Sequence, residues 1–415
     1  MPRQYSILLV AQLTPPSVLS GARRPANLAK YLARRGHRVT ILTSLASGSG
    51  PIAGAAHVLR TRDLLASRLN WRRNHFEAIQ GNQEGAASAS SRLEALVVPD
   101  LSLVGWLPFA LPRALELART ERFDCAVTTS PPQSAHLIGL ALRSAGVPWV
   151  ADLRDGWTFD PPRPAWPTAA QEAADRRLER ATLARADRVV AVTAPIAGDL
   201  GDRLAREVSV ITNGFDPEEA GQASTIDGLL RPDRHSLVYT GRAGVSGRSP
   251  RPLLDGILEL QRRWPEVAER LEVVFAGPTT AEERALLGDE RLHGLVRSVG
   301  TLERRQALAL QEGADSLLVL AEGASGPSVA TNKLFEYLAA RRPVFVLGED
   351  SEAARIVSQT RAGVVAPGDA VAVAAALREL VEGGIEYRAE GIERFAWPAL
   401  AERFEAEIEA AVAGG

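Results

Sequence analysis

The sequence predicts an α/β protein made of two doubly wound domains with mainly parallel sheets. Three observations carry that expectation. Short β-branched, apolar runs recur along the chain, separated by helix-length amphipathic stretches. The runs are apolar throughout and do not alternate, as in strands covered on both faces. The alternation occurs twice, on either side of a polar stretch at 213–236, and 415 residues exceed what one ordinary core organises.

In the first half, "YSILLV" (Tyr5 to Val10) is expected as the opening strand. A helix over Ala22 to Arg35 follows, closed by Gly36, and then the strand "RVTILTS" (Arg38 to Ser44). Further strands are expected at Cys125 to Ser130, Pro148 to Leu153, Arg188 to Thr193 and Val208 to Thr212. The second half repeats the grammar with strands at Ser236 to Gly241, Leu271 to Gly277, Val296 to Gly300, Asp315 to Ala321, Pro343 to Gly348 and Gly363 to Pro367. Helices are expected between them over Pro252 to Arg263, Arg304 to Glu312 and Val371 to Glu382. The boundaries are accordingly 1–213, 214–392 and a C-terminal helical tail at 393–415. In the tail, Trp397, Leu400 and Phe404 recur at helical spacing with acids on the other side.

Composition excludes some classes. Lys+Arg 48 against Asp+Glu 50 gives a net charge of −2, so no global field recruits nucleic acid. The single cysteine, Cys125, cannot form an internal disulfide and suits a reducing cytoplasm. The first apolar run is too short for a secretory signal, and charges interrupt every apolar run before the roughly 18 to 20 residues of a membrane span. The expected location is the cytoplasm, with peripheral contact at the inner membrane face as an extension. No metal cluster is evident, so metal independence and no cofactor are expected.

The chemistry concentrates in "GASGPSVATNKLFEYLAARRPVFVLGE", from Gly323 to Glu349. Following the strand at Asp315 to Ala321, this segment lies at the carboxyl edge of its sheet, where open α/β sheets bind ligands. Thr331 or Asn332 can cap its helix, whose N–H groups and dipole favour an anion, with Lys333 adding a charge. Glu336 lies one turn on from Lys333. A phosphate beside the helix start and a ribose diol accepted by the carboxylate satisfy that pattern.

These residues belong to a wider set: the Gly21 loop, "SPPQSAH" (Ser130 to His136), "VADLRDGWTFDP" (Val150 to Pro161), "VSVITNGFD" (Val208 to Asp216), "VYTGR" (Val238 to Arg242) and "NKLFEYLAARRPV" (Asn332 to Val344). In order and spacing the chain resembles the family 4-like, group 1 glycosyltransferases of GT-B fold. The resemblance implies two Rossmann-like domains facing a cleft, the first binding acceptor and the second a nucleotide-sugar, with retaining, hexosyltransferase-type transfer from a nucleoside-diphosphate-sugar, a UDP-sugar foremost. It implies a tail helix that crosses back to the first domain. It also gives roles: Glu336 for the donor ribose, and Gly21, Arg242, Arg248, Ser328, Asn332 and Lys333 for the donor. Asp155, Arg242 and Arg248 are the catalytic candidates, and Arg154, Asp155 and His136 stand on the acceptor side. Ser328 occupies a position where the family carries a glutamate. Gly247 stands where it carries a lysine, with Arg248 next. For His136 a packed position inside the following helix is the alternative, and for Asp155 a turn-capping role.

The segment Arg60 to Phe76 mixes arginines with Leu64, Leu65, Leu69 and Trp71. It reads either as a basic face for anionic lipid, suiting a lipid-linked acceptor, or as a helix packed on the first domain. Cell-surface polysaccharide or glycolipid synthesis is the expected setting. A nucleotide-sugar epimerase and a non-catalytic nucleotide-sugar binder are the alternatives on the same fold.

Overall fold

The computed structural model describes residues 3–17, 20–65, 97–159, 165–219, 226, 228–242, 249–321 and 332–414. By internal contacts the chain forms two units, Met1–Asn213 with Trp397–Gly415, and Gly214–Ala396.

The first unit holds a parallel sheet of order β3-β2-β1-β4-β5-β6-β7. Its strands are β1 (Ser6–Val10), β2 (Arg38–Ser44), β3 (Ala55–Thr61), β4 (Cys125–Ser130), β5 (Trp149–Leu153), β6 (Arg188–Ala191) and β7 (Ser209–Val210). Its longer helices are α1 (Arg23–Arg34), α2 (Leu107–Thr120), α3 (Ala135–Ser144), α4 (Ala169–Leu183) and α5 (Ala194–Leu204). The sequence reading missed β3 and took its end, Arg60 and Thr61, as the start of a basic helical segment. Val58 and Leu59 pack against the cores on the two faces of the sheet, and the Arg60 guanidinium donates to Pro15 O at 3.1 Å and Gly50 O at 3.0 Å. Residues 66–76 of that segment lie outside the described residues.

The second unit holds a parallel sheet of order β10-β9-β8-β11-β12-β13. Its strands are β8 (His235–Thr240), β9 (Leu271–Ala276), β10 (Val296–Gly300), β11 (Ser316–Leu320), β12 (Val344–Leu347) and β13 (Gly363–Ala366). The helices used below are α6 (Arg251–Arg263), α7 (Arg304–Gly313), α8 (Asn332–Ala340), α9 (Glu352–Thr360) and α10 (Ala370–Glu382). Both sheets reverse direction of winding next to their first strand, between β1 and β4 and between β8 and β11. At such a reversal the two neighbouring loops diverge to opposite faces and open a crevice at the carboxyl edge.

The tail forms α11 (Trp397–Gly414). Trp397, Leu400, Phe404, Ile408 and Ala411 fall on one stripe and are buried with Leu28 and Leu32 of α1 and Ile7, Leu9, Val39 and Ile41 of the first sheet. The contact division falls at Ala396/Trp397, four residues after the sequence boundary at 392/393, because Ile392 and Phe395 are buried among second-unit residues.

Candidate functional site

At the carboxyl edge of the first sheet the predicted residues meet around Arg154, the residue after β5. Its Nε donates to Ser130 O at 2.6 Å, its Nη2 to Pro131 O at 2.7 Å and its Nη1 to Gly21 O. One guanidinium thus ties the turn before α1 to the end of β4 and the end of β5. A Cβ at residue 21 would lie 3.0 Å from Arg154 Nη1 and 3.4 Å from Leu13 Cδ1, so a side chain there would press on the guanidinium that glycine lets approach closely. Arg154, expected on the acceptor side, is engaged with backbone carbonyls and acts as a brace.

His136 does not reach the edge. It is wholly buried in the first turns of α3, its Nδ1 2.8 Å from Thr128 Oγ1, which also accepts from Trp149 Nε1 at 2.8 Å. Its ring stacks on Trp157 with centroids 6.0 Å apart, and Nε2 has no partner among the described residues. Burial lowers its pKa to about 4. The packed alternative describes this residue, and the acceptor-side role is withdrawn.

Asp155 is different. It is half-buried, and its carboxylate accepts no hydrogen bond from any described residue. Burial raises its pKa to about 6, partly offset by the Arg154 charge. Gly156 forms the turn behind it, where a Cβ would collide with Phe159 O at 1.7 Å. The turn is pinned from α4: Trp157 Nε1 donates to Asp175 Oδ1 at 2.8 Å, and Thr158 N donates to Glu179 Oε1 at 3.3 Å. A carboxyl group that no described residue bonds, on a turn held from behind, can accept a hydrogen bond or a proton from a ligand hydroxyl.

At the carboxyl edge of the second sheet, β8 runs into Gly241 and Arg242. Gly241 has φ +99°, and a Cβ there would lie 2.7 Å from Lys333 Cε. The Lys333 ammonium donates to Tyr239 OH at 2.5 Å and Arg242 O at 3.2 Å, while Tyr239 OH donates to Arg242 O at 2.7 Å. Lysine on α8 therefore lies directly against the strand end. The Arg242 guanidinium is half-buried and donates to no described residue. Glu336, one turn along α8, takes Arg304 Nη1 on Oε1 at 3.2 Å and Gln311 Nε2 on Oε2 at 3.5 Å. Asn332 begins α8. Arg248, Ser328 and Thr331 lie outside the described residues.

Several residues of these edges escaped sequence reasoning. Arg24 is buried on α1 and forms a bidentate pair with Asp152 of β5, Nε–Oδ2 2.9 Å and Nη2–Oδ1 2.7 Å. It also donates to Ile211 O and Thr212 O and lies over the rings of Trp397 and Phe404. An aspartate inside the apolar run "WVADL" was the available signal. Asp100 accepts from Ser102 N, Ser134 N and Ser134 Oγ at 2.8 to 2.9 Å, clamping the start of α3, and burial raises its pKa. Arg304 had no sequence signal beyond its place at a helix start. Among the described residues no group of three or more His, Cys, Asp or Glu is arranged to hold a metal, and no helix is long and apolar enough to cross a membrane.

Two parallel sheets of the same winding order, each with glycine turns and polar side chains at its carboxyl edge, define a GT-B architecture. Solved structures of that fold match the chain over its whole length. Sucrose-phosphate synthase from Thermosynechococcus elongatus is 19% identical with a TM-score of 0.66, each chain covered 100%. An α,α-trehalose-phosphate synthase from Burkholderia xenovorans is 13% identical with a TM-score of 0.63, covering 98% of this chain and 100% of that one. A glycosyltransferase from Rickettsia africae is 13% identical with a TM-score of 0.62, covering 99% and 100%. At these identities the likeness is one of fold. Residues 21–219 match the family model of Glycosyltransferase Family 4. That match spans most of the first unit, and the chain is a glycosyltransferase. The exodeoxyribonuclease 7 large subunit of Erythrobacter litoralis is 32% identical over 180 residues, 38% of this chain. The chain spans only 36% of that relative's length, and the nuclease activity stays with the relative.

Proposed function

We propose that the chain moves a sugar from a nucleoside-diphosphate-sugar to an acceptor hydroxyl with retention at the anomeric carbon. The second unit holds the donor and the first the acceptor. The observation that carries this reading is the cluster at the end of β8: the Lys333 ammonium lies against the Gly241–Arg242 turn, bonded to Tyr239 OH and to the Arg242 carbonyl, and Arg242 itself brings a second cation to that turn. A diphosphate gains charge as the glycosidic bond breaks, so cations held at a backbone turn stabilise the transition state more than the ground state. Glu336 would accept the ribose hydroxyls, Asn332 and Ser328 would line the sugar side, and Arg248 would add a second guanidinium to the diphosphate. Asp155 would meet the acceptor hydroxyl, Arg154 would hold the Gly21 turn near the donor, and no metal or cofactor would be required. A UDP-sugar is the leading donor; the Burkholderia synthase with the same fold is described as UDP-forming. A lipid-linked or sugar acceptor, in building a cell-surface polysaccharide or glycolipid at the inner membrane face, is the setting proposed.

A thermal-shift panel of UDP, GDP, dTDP and ADP tests the reading, because a ligand that binds only the native state raises Tm with the logarithm of its excess over Kd. One nucleotide should stabilise well above the others. Four flat responses would sink the donor assignment.

A further inference from the structure

We propose that Arg304 is a positioning residue that sets the selectivity of the donor site for a ribose over a deoxyribose. The inference rests on the ribose reading of Glu336. Arg304 is the first residue of α7, and its two guanidinium nitrogens reach different carboxylates. Nη1 lies 3.2 Å from Glu336 Oε1 on α8, and Nη2 bonds Glu219 Oε2 on the segment entering the second unit. The other oxygen of Glu336 is reached from the same helix, by Gln311 Nε2 at 3.5 Å. That amide also donates to Thr240 Oγ1 at 2.8 Å, and Tyr337 OH accepts from Thr240 N at 2.9 Å. A side chain at each end of α7 thus holds one oxygen of the same carboxylate, and the Gln311 end is fixed to β8.

The physical consequence concerns orientation. A glutamate on a helix surface turns about three side-chain bonds, and a carboxylate that must accept from two vicinal hydroxyls has to present one plane. Glu219 keeps the guanidinium from following Glu336 when that side chain turns, because a planar fork bonded at both ends has one orientation. A lysine in the same place would reach one acid or the other as a point charge and would not fix the plane. Ribose selectivity should therefore depend on Arg304 although Arg304 itself need touch no ligand.

The experiment compares the affinities of UDP and 2′-deoxy-UDP, and of GDP and 2′-deoxy-GDP, by calorimetry for the full chain and its variants. The native chain should prefer the ribonucleotide of the base it binds. Glu336→Gln should erase that preference. Arg304→Gln should cut it by about tenfold while leaving 2′-deoxynucleotide affinity close to native, since one charge-assisted bond is at stake. Arg304→Lys should recover part of it, and Glu219→Gln should reproduce a milder loss with Arg304 in place. A general packing role for Arg304 predicts equal weakening of both nucleotides and no rescue by lysine, which would overturn the inference. So would a native preference in Arg304→Gln alongside its loss in Glu336→Gln. If Glu336→Gln kept the full preference, or the native chain had none, the ribose reading itself would fall. Should Arg304→Gln not fold, the lysine and Glu219 variants decide alone: native ratios in both would overturn the proposal.

Discussion

The carboxyl edges of the two sheets share a winding order but use their polar side chains in opposite ways. On the first edge the long polar groups are spent inside the protein. Arg154 donates to three backbone carbonyls, Arg24 is locked to Asp152, His136 is sealed under Trp157, and the Asp155 carboxylate is left unbonded by described residues. On the second edge Lys333 and Arg242 gather at one backbone turn, and the Arg242 guanidinium bonds no described residue. A guanidinium or imidazole in a suggestive motif is thus as often a brace as a ligand. What separates the two is where its donors go, because a buried donor must be satisfied somewhere.

The largest effect expected from this contrast is on stability, at the first edge. Arg24→Met leaves the Asp152 carboxylate buried with Thr129 as its remaining side-chain donor. Breaking a buried pair from one side costs about 3–5 kcal/mol, whereas removing both charges costs much less. Urea unfolding should show a strong loss for Arg24→Met and a partial recovery in Arg24→Met/Asp152→Leu. If the single variant unfolded at the native midpoint, the first edge would not be the scaffold described.

At the second edge the expected loss is catalytic. Arg242→Ala should lower turnover about a hundredfold or more, worth about 2.7 kcal/mol, with the urea midpoint unchanged and nucleotide affinity less affected. Arg248→Lys should keep much of the activity, since a cation still meets the diphosphate. Glu336→Ala should mainly weaken nucleotide binding, the ribose being held alike before and after transfer. Equal turnover in native and Arg242→Ala enzyme would remove the contrast between the edges.

How much of this was legible in the sequence follows the same division. Strand positions were readable because strands buried on both faces are continuously apolar, and β4 and β10 occupy the ranges expected, Cys125–Ser130 and Val296–Gly300. β3 was not readable: "AAHVLRT" is half exposed, with His57 and Arg60 inside it, and looks amphipathic. Lys333 and Glu336 could be placed on a helix at the sheet edge from their spacing. Arg304 could not be joined to Glu336, since they lie 32 positions apart in the chain and the packing of α7 against α8 brings them together. His136 shows the converse, because its motif context pointed outward while its burial was decided by Trp149 and Trp157.

A smaller effect is expected from Arg154→Lys. Lysine replaces a fork by one ammonium, so at least one of the carbonyls of Gly21, Ser130 and Pro131 loses its partner, at about 1–3 kcal/mol. If the brace serves the site through the Gly21 turn, activity should fall more than the loss of folded protein explains. Activity tracking the folded fraction would make the brace structural only.

The smallest effect is a pair of opposed pH slopes within the first unit. Asp155 binds its proton more tightly folded than unfolded, with its pKa raised to about 6, so the folded chain carries the extra proton between about pH 4 and 6. Its contribution is present at low pH and is lost as pH rises through 6. His136 is the reverse: with its pKa lowered to about 4, the unfolded chain carries the extra proton between about pH 4 and 6.5, and stability is lost as pH falls through that window. Each slope is at most about 1.4 kcal/mol per pH unit, and the two act against each other in the native chain. Asp155→Asn should therefore unmask a steeper loss of stability on acidification, while His136→Gln should flatten it or turn it into a gain, both followed by urea midpoints from pH 4.5 to 7.5. Activity divides them further. If Asp155 accepts a proton from the acceptor hydroxyl, turnover should rise with an apparent pKa near 6 and lose that limb in Asp155→Asn, whereas His136→Gln should leave the limb where it was. A limb that moved with His136 and ignored Asp155 would assign the reacting group to the wrong side of the Trp157 turn.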